Sequence, residues 1–169
     1  IEKNIEPLQL SDNLIKGLSL IDQYHLDILP VVEKGKYLGL ISINNIISPN
    51  KIKDHVKSHL NTLEKFYVNE HESVLNAIKL FVSNENKILP VVDNQNYYKG
   101  YVTAKSLLEY MVFSLGINNE GAIIEIELNK ADYSLSEIAH ITESNDVIII
   151  SSFLKESNNP KKVNLILKL

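Results

Sequence analysis

Two histidines stand four residues apart in the stretch "DHVKSH", where they could bind a metal ion. On a helix, His55 and His59 would share one face, and imidazoles at this spacing are typical zinc ligands. Asp54 adds a carboxylate, but no further ligand follows at a typical spacing, and the chain has no cysteine. We therefore favour a solvated connector helix and expect no bound metal.

A cluster of tyrosines could stack against a base. On a strand, Tyr97 and Tyr101 would share one face and Tyr98 would point to the other. Two uses stay open for these rings. One is packing in the core and on the sheet surface, which we favour; the other is stacking of an adenine on Tyr101.

Signatures of catalysis are missing from the sequence. It has no G-x-S-x-G, H-E-x-x-H or P-loop motif and no Rossmann glycine set. Pairs of carboxylates such as Asp22 and Asp27 have the spacing of exposed helix ends. We predict that the protein is not an enzyme.

Composition narrows the function classes further. Hydrophobic residues make up 44% of the 169 residues and charged residues 22%, as in globular proteins. The net charge is −4 and no run of Lys or Arg indicates a nucleic-acid partner. Apolar runs are too short for a membrane span, so we expect a cytoplasmic protein without a membrane partner. Because the chain begins with Ile1 and not Met, a native start further upstream stays open.

The word "ILPVV" occurs twice, beginning at Ile28 and at Ile88, sixty residues apart. Aligning Pro30 with Pro90 extends the match backwards without a gap. In each copy the preceding apolar residues recur three, four and seven positions apart, which predicts an amphipathic helix.

The residues around each "ILPVV" predict a strand–helix–strand–strand–helix unit. Ser11 is the expected N-cap of the first helix, and Asn69, with Glu72 in a capping box, that of the second. "ILPVV" suits a strand buried on both faces, with its proline at the first residue or on an edge. One unit cannot bury both its strand face and its helix face, so the period predicts a pseudo-twofold pair.

Two copies of a helix, then "h-P-V-V", then "G-h-h-S/T" (h, apolar) resemble a pair of CBS domains, also called a Bateman module. The resemblance covers about residues 1–116. It implies an α+β fold in which two β-α-β-β-α repeats, residues 1–55 and 56–116, pack through their sheets. It also implies clefts that bind an adenosine-type ligand, namely AMP, ADP, ATP or S-adenosylmethionine, and that regulate an attached or partner protein.

The resemblance further implies ligand-binding residues at matching positions. In "G-h-h-T/S-x-x-D" the hydroxyl and the following helix N-terminus suit a phosphate, and the Asp suits the ribose. The chain has Ser42 and Asn45 at the hydroxyl and Asp positions of the first repeat, and Thr103 and Ser106 at those of the second. Asn and Ser can still bond a ribose hydroxyl, but with lower affinity than a carboxylate.

The two repeats differ three residues before the proline, where the family often has a basic or polar group that reaches the phosphates. This residue is Asp27 in the first repeat and Lys87 in the second. Asp27 should repel a phosphate and Lys87 should attract it. We therefore expect any nucleotide in the cleft that holds Lys87 and Thr103, with Ser106 and Tyr101 beside it.

The last third of the chain predicts a different arrangement. "GAIIEIEL" alternates as a strand does, Ser134 can cap a helix, and "IIISSFLKES" and "KKVNLILKL" predict two more strands. This order over residues 117–169 resembles the first three-quarters of an ACT domain, a ferredoxin-like βαββαβ fold. The Pro-Gly that ACT domains often carry after the aspartate is missing after Asp132, which weakens the case for an amino-acid ligand.

A CBS pair followed by a partial ACT-like domain resembles small bacterial stand-alone proteins, some of the acetoin-utilisation type. An open sheet edge favours cover by another chain, so we expect a homodimer. Our leading hypothesis is a regulatory module in which a ligand shifts the population of two orientations of the repeats. The alternative is a ligand-free dimerisation or interaction scaffold with degenerate clefts. Whether residues follow Leu169 stays open.

Overall fold

Both copies of "ILPVV" are buried strands, as the sequence predicts. The chain has a mixed α+β fold, and each copy follows a helix and precedes a second strand. In chain order these elements are α1 (Leu14–Tyr24), β1 (Ile28–Glu33), β2 (Lys36–Ser42), β3 (Val68–Asn69), α2 (Val74–Val82), β4 (Ile88–Val92), β5 (Tyr98–Thr103) and α3 (Ala104–Ser114).

The computed structural model describes residues 1–42, 44 and 53–169. The chain forms two compact units, Ile1–Leu107 and Leu108–Leu169. In the described part of the chain, no helix has the length and apolar character that crossing a membrane requires.

The first two helices begin later than predicted. Asn13, not Ser11, caps α1, and its side chain accepts a backbone N–H of the first turn at 2.9 Å. Ser11 instead lies in a turn, in which the Asp12 N–H donates to the carbonyl oxygen of the residue three positions earlier. Ser73, not Asn69, caps α2, because Asn69 still belongs to β3.

The proline of "ILPVV" lies third in its strand, and not at the first residue, which was one of the two predicted positions. The other predicted position, an edge strand, holds for Pro30 in the two-stranded sheet β1-β2 but not for Pro90, because β4 lies between β3 and β5. Pro30 lacks a backbone N–H, but no hydrogen bond is lost, because the backbone groups around it bond partners outside the β1–β2 pair. Leu8 runs parallel to β1, donating to the Pro30 carbonyl and accepting from Val32, both at 2.8 Å. On the other side, Leu40 faces Pro30 but forms both of its backbone hydrogen bonds with Glu64, each at 2.9 Å.

The two repeats exchange their opening segments. Glu64, which precedes the second repeat's first strand, pairs with Leu40 in β2 of the first repeat. Glu2 pairs in the same antiparallel way with Tyr101 in β5 of the second repeat. Each repeat therefore supplies a segment that pairs with a strand of the other repeat.

The glycine of each "G-h-h-S/T" is required by that exchange. Gly39 has φ +149°, and a Cβ there would lie 2.8 Å from Leu63 Cβ and 2.9 Å from the Glu64 carbonyl oxygen. Gly100 has φ +135°, and a Cβ there would likewise collide with the backbone of Glu2. Each glycine therefore lets a segment from the other repeat lie against the strand.

Apolar residues of both repeats share one core, as the period predicts. Leu14, Leu29 and Leu40 of the first repeat cluster with Ile88 and Tyr101 of the second. A smaller cluster within the second repeat contains Val68, Ala77, Leu89, Val91 and Leu107.

The second unit contains a three-stranded antiparallel sheet and a helix, in the predicted strand–helix–strand–strand order. These elements are β6 (Ile123–Asn129), α4 (Leu135–Glu143), β7 (Ser151–Glu156) and β8 (Lys162–Lys168). The sheet order is β6-β8-β7. Ser134 caps α4, as predicted, by accepting the Glu137 N–H at 3.3 Å.

Candidate functional site

Thr103 and Ser106 form a reciprocal cap at the start of α3. The Thr103 Oγ1 accepts the Ser106 N–H at 3.2 Å, and the Ser106 Oγ accepts the Thr103 N–H at 2.9 Å. The helix cannot satisfy these N–H groups internally, and this pattern is that of a capping box. Both predicted hydroxyls therefore lie at a helix N-terminus, where the helix dipole favours negative charge.

A carboxylate of the chain itself occupies this position. The Thr103 hydroxyl donates to Glu2 Oε1 at 2.8 Å. The Glu2 N–H donates to the Tyr101 carbonyl at 2.8 Å, and the Tyr101 N–H donates to the Glu2 carbonyl at 3.0 Å. A carboxylate of the first repeat therefore lies at the N-terminus of α3 in the second repeat.

Glu2 was not among the predicted site residues, although the sequence contains a signal for it. "IEK" at residues 1–3 corresponds to "LEK" at residues 63–65. Glu64, the middle residue of the second triplet, makes the same backbone pairing with Leu40 as Glu2 makes with Tyr101. Extending the alignment of the repeats to the first residue would have indicated this contact.

Lys87 and Asp27, which hold matching positions in the two repeats, meet each other. The Lys87 Nζ lies 2.8 Å from Asp27 Oδ2 and donates to the His25 carbonyl at 3.1 Å. Lys87 directly precedes Ile88, which pairs with Thr103 across β4 and β5, so Lys87 and Thr103 belong to the same end of this hairpin.

The Lys87–Asp27 pair is exposed to solvent. The exposed fraction is 53% for the Lys87 side chain and 65% for Asp27. Solvent screens such a pair, which contributes about 0–1 kcal/mol to stability. A ligand carrying negative charge can therefore compete for Lys87 at little cost.

Tyr101 is part of the core. It is 1% exposed, and its hydroxyl donates to the side-chain oxygen of Asn4. Burial, followed by the nearby Glu2 carboxylate, raises the pKa of Tyr101 to about 12. The ring therefore packs in the core, and its hydroxyl reaches the N-terminal segment.

The predicted alternation of the tyrosine faces was wrong. The register of β5 against β4 shifts by one residue at Lys99, so Tyr98 and Tyr101 both pack against the shared core. Tyr98 also stacks on Tyr37, with ring centroids 6.2 Å apart. Tyr97 precedes β5 and is 38% exposed.

The first repeat contributes Ser42 at the corresponding place. Ser42 is the last residue of β2 and pairs with Ile28, next to Asp27. Asn45 lies outside the described residues. Ser42 and Asp27 therefore belong to the same end of the β1–β2 hairpin.

His55 and His59 make separate contacts. His55 precedes a 3₁₀ segment (Val56–Thr62), and its Nδ1 lies 2.8 Å from the Ser11 carbonyl oxygen. The buried His59 lies within that segment, with its Nε2 3.4 Å from Asp54 Oδ2. Residues 1–42, 44 and 53–169 contain no group of three or more metal-ligating side chains.

Residues 56–113 match the family model of the CBS domain. This chain contains a CBS domain. The match begins in the 3₁₀ segment and extends into α3, so it includes Lys87, Thr103 and Ser106. The first copy of the repeat lies outside the match.

Solved structures of CBS proteins share the fold. A CBS domain pair/ACT domain protein from Thermotoga maritima matches with a TM-score of 0.60 and 22% identity, over 68% of this chain and 94% of that chain. CbpB in complex with c-di-AMP has a TM-score of 0.53 and 22% identity, over 64% and 77%. CBSX2 in complex with AMP has a TM-score of 0.53 and 20% identity, over 65% and 89%. At these identities the likeness shows the fold alone.

Proposed function

We propose that this chain is a non-catalytic regulatory module that senses an adenine nucleotide in the cleft between two CBS repeats, residues 1–55 and 56–116. The observation that carries the proposal is the cap formed by Thr103 and Ser106, on the hairpin that also holds Lys87. Hydroxyls at a helix N-terminus beside an ammonium group are suited to a phosphate. The similar structures of CbpB with c-di-AMP and of CBSX2 with AMP support this ligand class.

In the first repeat, Ser42 and Asn45 hold the matching positions, but the neighbouring Asp27 disfavours phosphate. The second repeat is therefore the proposed nucleotide site. Tyr101 would lie beside the site without stacking on a base, because its ring is buried, its backbone bonds Glu2 and its hydroxyl bonds Asn4.

Ligand binding would act on the link between the repeats. Lys87 belongs to the second repeat and Asp27 to the first, and they form an exposed ion pair. A phosphate that draws Lys87 away breaks this pair and shifts the population of relative orientations of the repeats. The signal to a partner protein would be this change of orientation.

The proposal is tested by thermal shift with AMP, ADP, ATP and S-adenosylmethionine. A ligand at ten times its Kd adds about 1.4 kcal/mol to the stability of the folded state. In a unit of this size, that raises the melting temperature by roughly 3–8 °C. Lys87→Ala and Thr103→Val should reduce the shift, and Lys79→Ala, at an exposed position on α2, should leave it unchanged.

A second candidate function is a ligand-free interaction scaffold. The contacts described above favour it: Glu2 occupies the Thr103 hydroxyl, and Asp27 neutralises Lys87. The absence of a thermal shift at millimolar concentrations of all four ligands would support the scaffold and contradict the sensor.

We further propose that residues 117–169 form an ACT-like domain through which the protein dimerises. The sheet order β6-β8-β7 puts the first, third and second strands side by side, as in a ferredoxin-like fold. Within the described residues β6 pairs only with β8, which leaves an edge for a second copy. Light scattering should give twice the chain mass of 19.1 kDa, and a single-chain mass would contradict dimerisation.

A further inference from the structure

Residues 1–4, called the strap below, lie along β5 towards the start of α3. Besides the two backbone bonds of Glu2 to Tyr101, the Asn4 side chain accepts the Tyr101 hydroxyl. A Cβ at Gly100 would lie 2.7 Å from Ile1 Cγ2 and would collide with the Glu2 carbonyl oxygen. The bare glycine therefore lets the strap lie directly on the strand.

The Glu2 carboxylate has the features of a bound anion. It accepts the Thr103 hydroxyl at the N-terminus of an eleven-residue helix, where a negative group is favoured. Asp27 adds a second negative charge at this end of the hairpin and already pairs with Lys87. A phosphate that approached with Glu2 in place would compete with it for the same hydroxyl.

We propose that the strap is a displaceable internal competitor, and that a nucleotide phosphate binds by replacing the Glu2 carboxylate on Thr103. The inference rests on the proposed function and adds an autoinhibitory contact to it. Nucleotide binding then frees the N-terminal segment, and any chain attached to that segment receives the signal.

The attachment of the strap is compatible with such a movement. Ile1 is 63% exposed, and Lys3 and Asn4 are exposed as well. The next anchor is Ile5, which is 5% exposed and belongs to the shared core. The strap can therefore detach before Ile5 without opening the core.

Calorimetric titration with AMP and with adenosine tests the proposal on the wild type, Glu2→Gln and Glu6→Gln. Glutamine keeps the shape of Glu2 but removes the charge-assisted bond to Thr103, so AMP should bind roughly tenfold more tightly. Adenosine has no phosphate and should bind the wild type and Glu2→Gln with equal affinity. Glu6→Gln is the matched control, since Glu6 pairs with Lys16 at 2.8 Å and is largely exposed.

Hydrogen exchange of the wild type provides a second measurement that needs no variant. The Tyr101 amide, bonded to the Glu2 carbonyl oxygen, should exchange faster when AMP is bound. A chain lacking residues 1–4 should bind AMP at least as tightly as Glu2→Gln.

The outcomes separate this proposal from the function on which it rests. If AMP binds the wild type and Glu2→Gln with equal affinity, or if adenosine gains as much as AMP, the strap proposal is wrong and the sensor stands. Slower exchange of Tyr101 with AMP would also overturn the strap. If AMP binds none of these proteins, both proposals fail.

Discussion

Replacing Ile88 with alanine perturbs the core that the two repeats share. Ile88 belongs to the second repeat, is 0% exposed, and clusters with Leu14 and Leu29 of the first repeat. The reciprocal pairing described above requires this cluster to be common to both repeats. Its loss should therefore destabilise the first unit as a whole.

The magnitude follows from the atoms removed. Alanine lacks Cγ1, Cγ2 and Cδ1, and each buried carbon contributes about 0.8 kcal/mol of transfer free energy, or roughly 2.4 kcal/mol together. The cavity left behind adds to this value, so we expect a loss of about 3 kcal/mol, within the range of 2–5 kcal/mol for such changes. Since a domain is stable by only about 5–15 kcal/mol, the loss is large.

Urea unfolding followed by tyrosine fluorescence measures this loss. The tyrosines of the first unit dominate the signal; they are Tyr24, Tyr37, Tyr67, Tyr97, Tyr98 and Tyr101. Leu75→Ala, on α2 and 65% exposed, is the control and should change stability by less than about 0.5 kcal/mol. A loss below about 1 kcal/mol for Ile88→Ala would refute the shared core.

Further predictions concern the backbone, a cap and a titration. Gly39→Ala puts a Cβ 2.8 Å from Leu63 Cβ at φ +149°, so thermal unfolding should show a loss above about 1 kcal/mol; an unchanged melting temperature would contradict the exchange of segments. Ser134→Ala should cost about 0.5–2 kcal/mol in urea unfolding monitored by circular dichroism, because it removes the cap of α4. Since the pKa of Tyr101 is raised from 10.0 to about 12, the stability it contributes is complete below pH 10 and is lost as the pH rises through 12. Phenolate absorbance in an alkaline titration should show tyrosines that resist ionisation above pH 10, and titration of every tyrosine near pH 10 would contradict this.

The order of elements was predictable from the repeat, because a helix or strand with a buried face has a regular spacing of apolar residues. The two "ILPVV" strands and the helices before them follow from this pattern. The caps of α1 and α2 were misplaced by two and four residues. Ser11 and Asn69 have suitable side chains for a cap, but the backbone there belongs to a turn and a strand, which side-chain type alone does not reveal.

Two features of the site depend on interactions that a single pattern does not encode. The register shift at Lys99 puts Tyr98 and Tyr101 on one core, whereas strict alternation separates them. The contact of Glu2 with Thr103 joins residues 101 positions apart, and only the tertiary exchange of segments creates it. The sequence showed that Lys87 and Asp27 differ at matching positions, but only the packing of the two repeats brings them into contact.

The central proposal is that the second repeat binds a nucleotide at the end of the β4–β5 hairpin that holds Thr103, Ser106 and Lys87. Nuclear magnetic resonance of the ¹⁵N-labelled chain during a titration with AMP tests it most directly, because each backbone amide reports on its own surroundings. We predict saturable shifts at the Thr103 and Ser106 amides that are weakened in Lys87→Ala. Saturation without any change at these amides, or no saturable change at all, would contradict the claim.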